Sequence, residues 1–183
     1  MHGDGKKLLV KDLDIRDISI IDAMPVYDCP KKILIVGCGA GRIDWHLNNM
    51  GYEVYSTDVI SGKDFPEDMD FYKSDIFDVN SFPINKCEIV ICSQVLEHLR
   101  DYKTALKNLL KLTEIRLIIT VPYKMSFNSP GHYNHWDDKS VKEFESICKP
   151  YVISISKIRT KPKDVKLNQW CYLIIIDKRQ KYE

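Results

Sequence analysis

Residues 31–37, KKILIVG, form a short apolar run that ends at a glycine, and the next stretch, CGAGRIDWHL, carries two more glycines before passing into helical spacing. This junction constrains the fold more than any other feature of the chain. A strand that stops on glycine, turns within a few residues and starts a helix is the opening unit of a sheet built with crossover helices. Gly37, Gly39 and Gly41 let the backbone turn sharply and approach a ligand closely, while the helix that follows presents unpaired N–H groups to negative charge. A nucleotide-type cofactor is the natural guest of such a turn. The dinucleotide fingerprint would place its third glycine where Arg42 stands, so the spacing here is G-x-G-x-G and a nicotinamide-dependent reductase is disfavoured.

The same alternation continues. Further strands are expected at 52–59, 69–76, 87–93 and 116–122, and 151–160 and 169–179 read as two closing strands joined by the basic turn KPKDVKLN. Helical spacing is expected at 41–51, at 139–149 and, most clearly, at 95–113, where Leu96, Leu99, Leu106, Leu109, Leu110 and Leu112 recur. This is an α/β pattern, and 183 residues are the length of one domain, 1–183. Segment 1–30 is charged throughout and reads as a lid or cap. No run approaches the roughly 20 apolar residues of a membrane span, so no membrane is expected as a partner. Lysine and arginine total 27 against 26 acidic residues, which gives no global drive toward nucleic acid. Six cysteines without a C-x-x-C pair supply neither a zinc nor a disulfide framework, and a reducing cytoplasmic setting is the expectation.

Asp58 ends the second expected strand, about 20 residues beyond the first glycine, where a carboxylate can accept hydrogen bonds from both ribose hydroxyls. With ILIVGCGAG as a first motif and Asp58 as a ribose-binding acid, the chain resembles the class I S-adenosylmethionine-dependent methyltransferases over roughly residues 30 to 178. The resemblance implies a single Rossmann-like domain with its core at 31–179: a mostly parallel seven-stranded sheet, an antiparallel final strand, and helices on both faces. It implies S-adenosyl-L-methionine as cofactor, held at Gly37, Cys38, Gly39 and Gly41, with Asp58 and Val59 at the ribose, Asp75 and Ile76 bordering the adenine, and Ser93 and Gln94 lining the methionine end. Asp75 could instead cap a helix. Arg42 reads as a solvated first-turn residue and Cys38 as a packed, idle thiol.

Glu97 and His98 are adjacent, and on an α-helix neighbours diverge by about 100°. The pair resembles part of the E-x-x-E-H metal site of enzymes that 2′-O-methylate small RNAs, to which His132 or His135 could add a further histidine, but the first acidic position falls on Gln94, a weak ligand, and no metal is expected. Loops at the carboxyl ends of parallel strands border the crevice of such sheets. Substrate recognition is therefore expected in 123–138, from Tyr123, Asn128, His132, His135 and Trp136, beside Tyr133; Trp136 could instead anchor the next helix. His98, His132 and His135 are the candidate bases. The basic stretch from Lys157 through Arg159, Lys161 and Lys163 to Lys166 reads as a solvated connection. The leading reading is methyl transfer to an O or N acceptor on a small or sugar-like molecule. The alternatives are an RNA-directed enzyme, including the metal-assisted 2′-O type, and a non-catalytic cofactor-binding partner subunit.

Overall fold

Alternation with period two sorts the central strand between two cores. In the computed structural model, which describes residues 13–25, 30–62, 64–124, 131–160 and 170–181, β1 (Lys32–Val36) sends Ile33 and Ile35 into one apolar layer and Leu34 and Val36 into the other. Parallel strands β2 (Glu53–Asp58) and β4 (Cys87–Ser93) flank it; β3 (Phe71–Lys73) lies outside β2, and β5 (Thr113–Pro122) outside β4. The sheet closes with β6 (Tyr151–Arg159) and β7 (Trp170–Lys181) in the order β3-β2-β1-β4-β5-β7-β6, β7 running antiparallel to both neighbours. The expected mixed seven-stranded sheet is therefore the observed one. Winding direction reverses between β1 and β4, which leaves a crevice at their carboxyl ends.

Helices cover both faces. α1 (Ile15–Asp22) and α2 (Arg42–Asn49) bury Ile20, Ile43 and Leu47 against one layer; α3 (Tyr102–Leu112) and α4 (Glu143–Cys148) bury Leu106, Leu109 and Phe144 against the other. α1 is a helix the sequence reading left inside a cap segment. Its signal is a capping box, in which the Asp14 side chain accepts from the Asp17 amide at 3.0 Å while Asp17 accepts from the Asp14 amide at 3.1 Å.

The helix expected over 95–113 is interrupted. Leu96–His98 is a single 3-10 turn, and Asp101 restarts the chain by capping α3, its carboxylate accepting from the Thr104 amide at 3.0 Å. α3 then runs without a loop into β5, which starts at Thr113 rather than at 116. Arg116 ties sheet to α1: it donates to Asp177 at 2.8 Å and to the Ala23 carbonyl, which caps α1, at 2.8 Å.

Two stability outcomes follow from this packing. Leu109 is wholly buried, so Leu109→Ala should cost about 2–5 kcal/mol, against about 1 kcal/mol for Asp101→Ala, both read by urea unfolding followed by circular dichroism. Burial alone would raise Asp177, yet hydrogen bonds from Arg179 and Arg116 hold it down to about 2 from an ordinary 3.8. A depressed carboxyl contributes stability that is fully present above its unfolded value and is lost as pH falls through its folded one. Wild type should accordingly lose stability between about pH 4 and pH 2 more steeply than Asp177→Asn, and matching acid limbs for the two would refute the assignment.

Candidate functional site

The turn after β1 holds three glycines in the left-handed region, with φ of 81° at Gly37, 56° at Gly39 and 70° at Gly41. Two of them matter for different reasons. A Cβ on Gly37 would lie 2.2 Å from Val95 Cγ2, so the turn and the segment after β4 touch only because Gly37 has no side chain. A Cβ on Gly39 would meet nothing within 4 Å, so that side of the turn faces open space. The Gly37 and Cys38 amides both donate to the Thr57 carbonyl, at 2.8 and 3.0 Å, and fasten the turn to β2.

A cavity of about 540 Å³ opens at the switch point, a size suited to a nucleotide-bearing ligand. Gly37, Cys38 and Ser93, all expected at a cofactor, line it. Burial first, then Asp44 and Asp58, push the Cys38 thiol up to about 12, so it stays protonated. Asp58 sits at the end of β2 with one carboxylate oxygen accepting from the Gly39 amide at 3.1 Å and the other from Val59 at 2.7 Å. Each oxygen retains a lone pair. Val59 is exposed beside it. Asp75 does not cap a helix; it accepts from the Phe77 amide at 2.9 Å, and Asp78 caps the next 3-10 turn. Ile76 departs from the expectation: its side chain belongs to the core and its carbonyl accepts from Asn108 at 3.0 Å, because the chain must pass beneath α3 there. Gln94, at φ 57°, turns its amide to Thr120 Oγ1 at 3.2 Å.

The polar part of the remaining wall comes from residues not expected at the site, Arg16, Asp17 and Asp64, together with Arg42. Arg42 is not solvated and idle. It pairs with the buried Asp17 at 2.6 Å and with Asp14 at 3.5 Å, which locks α1 to the start of α2. The Asp14/Asp17 capping box was the available signal for that helix. Arg16 donates to Asp14 at 3.1 Å, and its buried Nε, 3.9 Å from Asp17 Oδ1, makes no hydrogen bond.

The substrate loop divides. Trp136 is 2% exposed and packs at 5.6 Å from Tyr102 and 5.9 Å from Phe144, so it anchors α4 rather than facing a ligand. Tyr123 gives its hydroxyl to Asp138 at 3.3 Å, beneath the Lys157 ammonium, and does not line the cavity. Asn128 and the lysines Lys161, Lys163 and Lys166 lie outside the described residues.

His132 and His135 remain, and the fold gathers them with His98. The ring centroids of His98 and His132 are 4.7 Å apart, and those of His132 and His135 are 6.5 Å apart. The clamp is made by backbone: the Tyr133 and Asn134 amides donate to the Glu97 carbonyl at 2.7 and 3.2 Å, and the Asn134 side chain donates to Leu96 and Leu99. Burial, then the neighbouring His98 and His135, keep His132 below the ordinary imidazole range. Burial pushes Glu97 up to about 7, with its own backbone and then Arg16 pulling the other way. The separation expected for Glu97 and His98 rested on α-helical geometry, whereas they stand on a 3-10 turn that the 131–134 backbone folds over.

Residues 34–115 match the model of a family described as a methyltransferase domain. The fold superposes on a SAM-dependent methyltransferase from Archaeoglobus fulgidus with a TM-score of 0.68 at 17% identity, over 90% of this chain and 93% of that one. It is similar to 1,6-didemethyltoxoflavin-N1-methyltransferase from Burkholderia thailandensis, solved with S-adenosylhomocysteine (TM-score 0.63, 15% identity, 81% of this chain and 71% of that one). Magnesium protoporphyrin IX methyltransferase from Synechocystis gives 0.62 at 15% identity, over 94% and 83%. At these identities the likeness is one of fold. No curated protein sequence matches the chain.

The Arg42–Asp17 pair yields a direct test. Arg42→Ala leaves a buried carboxylate without its main partner and should cost about 2 kcal/mol in chemical denaturation. Adding Asp17→Asn should restore part of the loss, and a second substitution that merely adds to the first would mean that the two side chains do not cooperate.

Proposed function

We propose that this chain, a class I S-adenosylmethionine-dependent methyltransferase by its domain and fold, transfers a methyl group to an oxygen or nitrogen of a small-molecule acceptor. The observation that carries the reading is the cavity of about 540 Å³ at the β1/β4 switch point, walled by the left-handed glycine turn and Ser93. The cofactor fits these residues: the Cβ side of Gly39 faces open space, and Arg16 offers a buried guanidinium nitrogen without a hydrogen-bond partner. When bound, S-adenosylmethionine supplies a methyl group made electrophilic by a positively charged sulfur.

The chain's own residues then position and exclude water. Asp58 uses its remaining lone pairs to accept from the ribose hydroxyls, and the exposed Val59 supplies apolar contact beside it. The Arg16 guanidinium meets the carboxylate at the methionine end, a charge-assisted contact on a side chain already oriented by Asp14. α1 covers the crevice from one side, and the 131–135 segment stands at the carboxyl end of β4 on the other. The three imidazoles cluster at the turn after β4, and His132, kept below its ordinary range by burial, is the candidate to take an acceptor's proton there. Two similar proteins, named for didemethyltoxoflavin and for magnesium protoporphyrin, carry small-molecule acceptors in their names, which supports that class here. The near balance of 27 basic against 26 acidic residues supports it also.

Asp58→Ala removes two charge-assisted hydrogen bonds and should weaken cofactor binding at least about tenfold by calorimetry. Equal affinity would sink the ribose assignment. Incubation with methyl-labelled cofactor and a metabolite pool tests the activity itself: label in a small molecule supports the reading, and label appearing only in added RNA overturns the acceptor class.

A further inference from the structure

We propose that Asp44 senses the charge of the cofactor: its buried carboxyl gives up a proton when the cationic sulfonium form binds and recovers one when the neutral thioether product is left, so that the site holds the first more tightly than the second. The proposal rests on the methyl-transfer reading and adds to it a residue that separates cofactor from product.

Asp44 stands in the first turn of α2, the helix that the glycine turn opens. It is 0% exposed, and among the described residues neither of its carboxylate oxygens has a hydrogen-bond partner. Ser56 is buried as deeply, and its Oγ makes no hydrogen bond either. A carboxyl without an ionic partner in such a place costs least when it is neutral. Burial pushes Asp44 up to about 7, with the Ser56 hydroxyl and its own backbone opposing and the Asp58 charge reinforcing. Nor does Asp44 fasten elements together, as Asp17 and Asp177 do by meeting arginines.

Its neighbours couple it to the cavity. Ile43, the residue before it, lines the cavity, and so does Cys38, whose thiol feels the Asp44 charge. Ser56 and Asp58 are two residues apart on β2, so they share a face and stand about 7 Å from each other. Ser56 is the register partner of Ile35, which is also in the wall. Asp44 therefore lies one step behind Asp58, the proposed ribose acid.

Apolar groups enclose most of the rest. β1 presents Ile33 and Ile35 to this layer, and Phe65 and Phe71 pack on it. The Cys38 thiol is neutral, and Arg42 is committed to Asp14 and Asp17 of α1. His46, two positions along the helix, lies roughly 200° around it. Arg16 and Asp64, of opposite sign, complete the charged wall of the cavity. Asp58 is the group whose charge acts on Asp44, and it acts against ionisation.

A cation held in the cavity reverses that balance. Across a wall without water its attraction is little screened, so the ionised carboxyl is favoured and the proton passes to the buffer. Once the methyl group has left, the sulfur is neutral, the attraction is gone, and the carboxyl takes a proton back from solvent. The amino and carboxylate groups of the methionine end are common to both ligands and do not distinguish them.

The test is calorimetry of the whole chain with S-adenosylmethionine and, separately, S-adenosylhomocysteine, in phosphate and in Tris at pH 6, 7 and 8. At pH 7 the methyl donor should release about half a proton more than the product does, read from the difference in heat between the two buffers. Its affinity relative to the product should rise about fivefold from pH 6 to pH 8. Asp44→Asn keeps the shape and removes the proton, so both differences should vanish while both ligands still bind. Ser56→Ala removes a hydroxyl that lowers Asp44 and should move the midpoint of the pH dependence upward. A carboxyl raised by folding contributes stability that is fully present below its unfolded value and is lost as pH rises through its folded one, so in urea unfolding Asp44→Asn should gain on wild type between about pH 4 and pH 7. Equal proton release for the two ligands, a difference that survives Asp44→Asn, or a midpoint unmoved by Ser56→Ala overturns the sensor and leaves the methyl-transfer reading standing. Wild type that binds neither ligand overturns the transfer reading and the sensor with it.

Discussion

The contact between Gly37 and Val95 is the constraint on which the site depends. Val95 Cγ2 stands where any other residue at 37 would place its Cβ, so β1's turn and β4's extension meet with no side chain between them. That closeness has consequences in both directions along the chain. Upstream, it fixes the glycine turn, already fastened to Thr57, at the mouth of the crevice. Downstream, it fixes where Leu96–His98 begins its 3-10 turn, and thereby where Glu97 and His98 point. A sheet that reverses winding between these two strands always leaves a gap there. Here the missing Cβ decides how narrow the gap becomes and which residues wall it.

Four buried acids show how differently the fold treats charge with and without an ion-pair partner. Asp177 lies under two arginines and is held ionised. Asp17 is buried beside Arg42, and although burial still raises it, the ion pair partly restores it. Asp44, wholly buried in α2, is pushed by burial up to about 7, with the Ser56 hydroxyl lowering it. Glu97 has no partner on Oε2 and only the distant help of Arg16. The first two fasten elements together through ion pairs, Asp17 from the cavity wall itself, and the last two are buried without one among the described residues. Unrelieved burial costs stability, and it persists where surrounding structure over-determines the position. For Glu97 that structure is the pair of amides on its own carbonyl.

The fold was legible because its signals are local. Short apolar runs between helical segments placed all seven strands, and the glycine junction placed the crevice. Residues whose neighbours come from distant parts of the chain were not legible. Leucine spacing made 95–113 look continuous, yet Asp101 competes for the Thr104 amide and breaks it. Ile76 was placed at a ligand by the family resemblance and Trp136 by its aromatic loop, and tertiary packing took both side chains into the core. α1 escaped because its apolar face is narrow, though its Asp14/Asp17 box was readable. His132 was set near Glu97 only through the family resemblance, as one of two histidines, since what joins the segments is backbone hydrogen bonding from Tyr133 and Asn134 to Glu97, and bonds of that kind leave no period in a sequence.

Arg16 joins the two halves of the site. Its guanidinium stands in the cavity wall, held by Asp14, and its charge reaches Glu97. An anionic group arriving at Arg16 would neutralise part of the field that now favours ionised Glu97, and raise the carboxyl's affinity for a proton or a cation. Filling one side of the crevice therefore changes the chemistry of the other without any movement of the backbone. The effect falls off with the polarity of what lies between, so it is strongest when α1 is seated and water is kept out. Seating α1 depends in turn on Arg42 and Asp17, which places an ion pair outside the reacting centre in control of the dielectric within it.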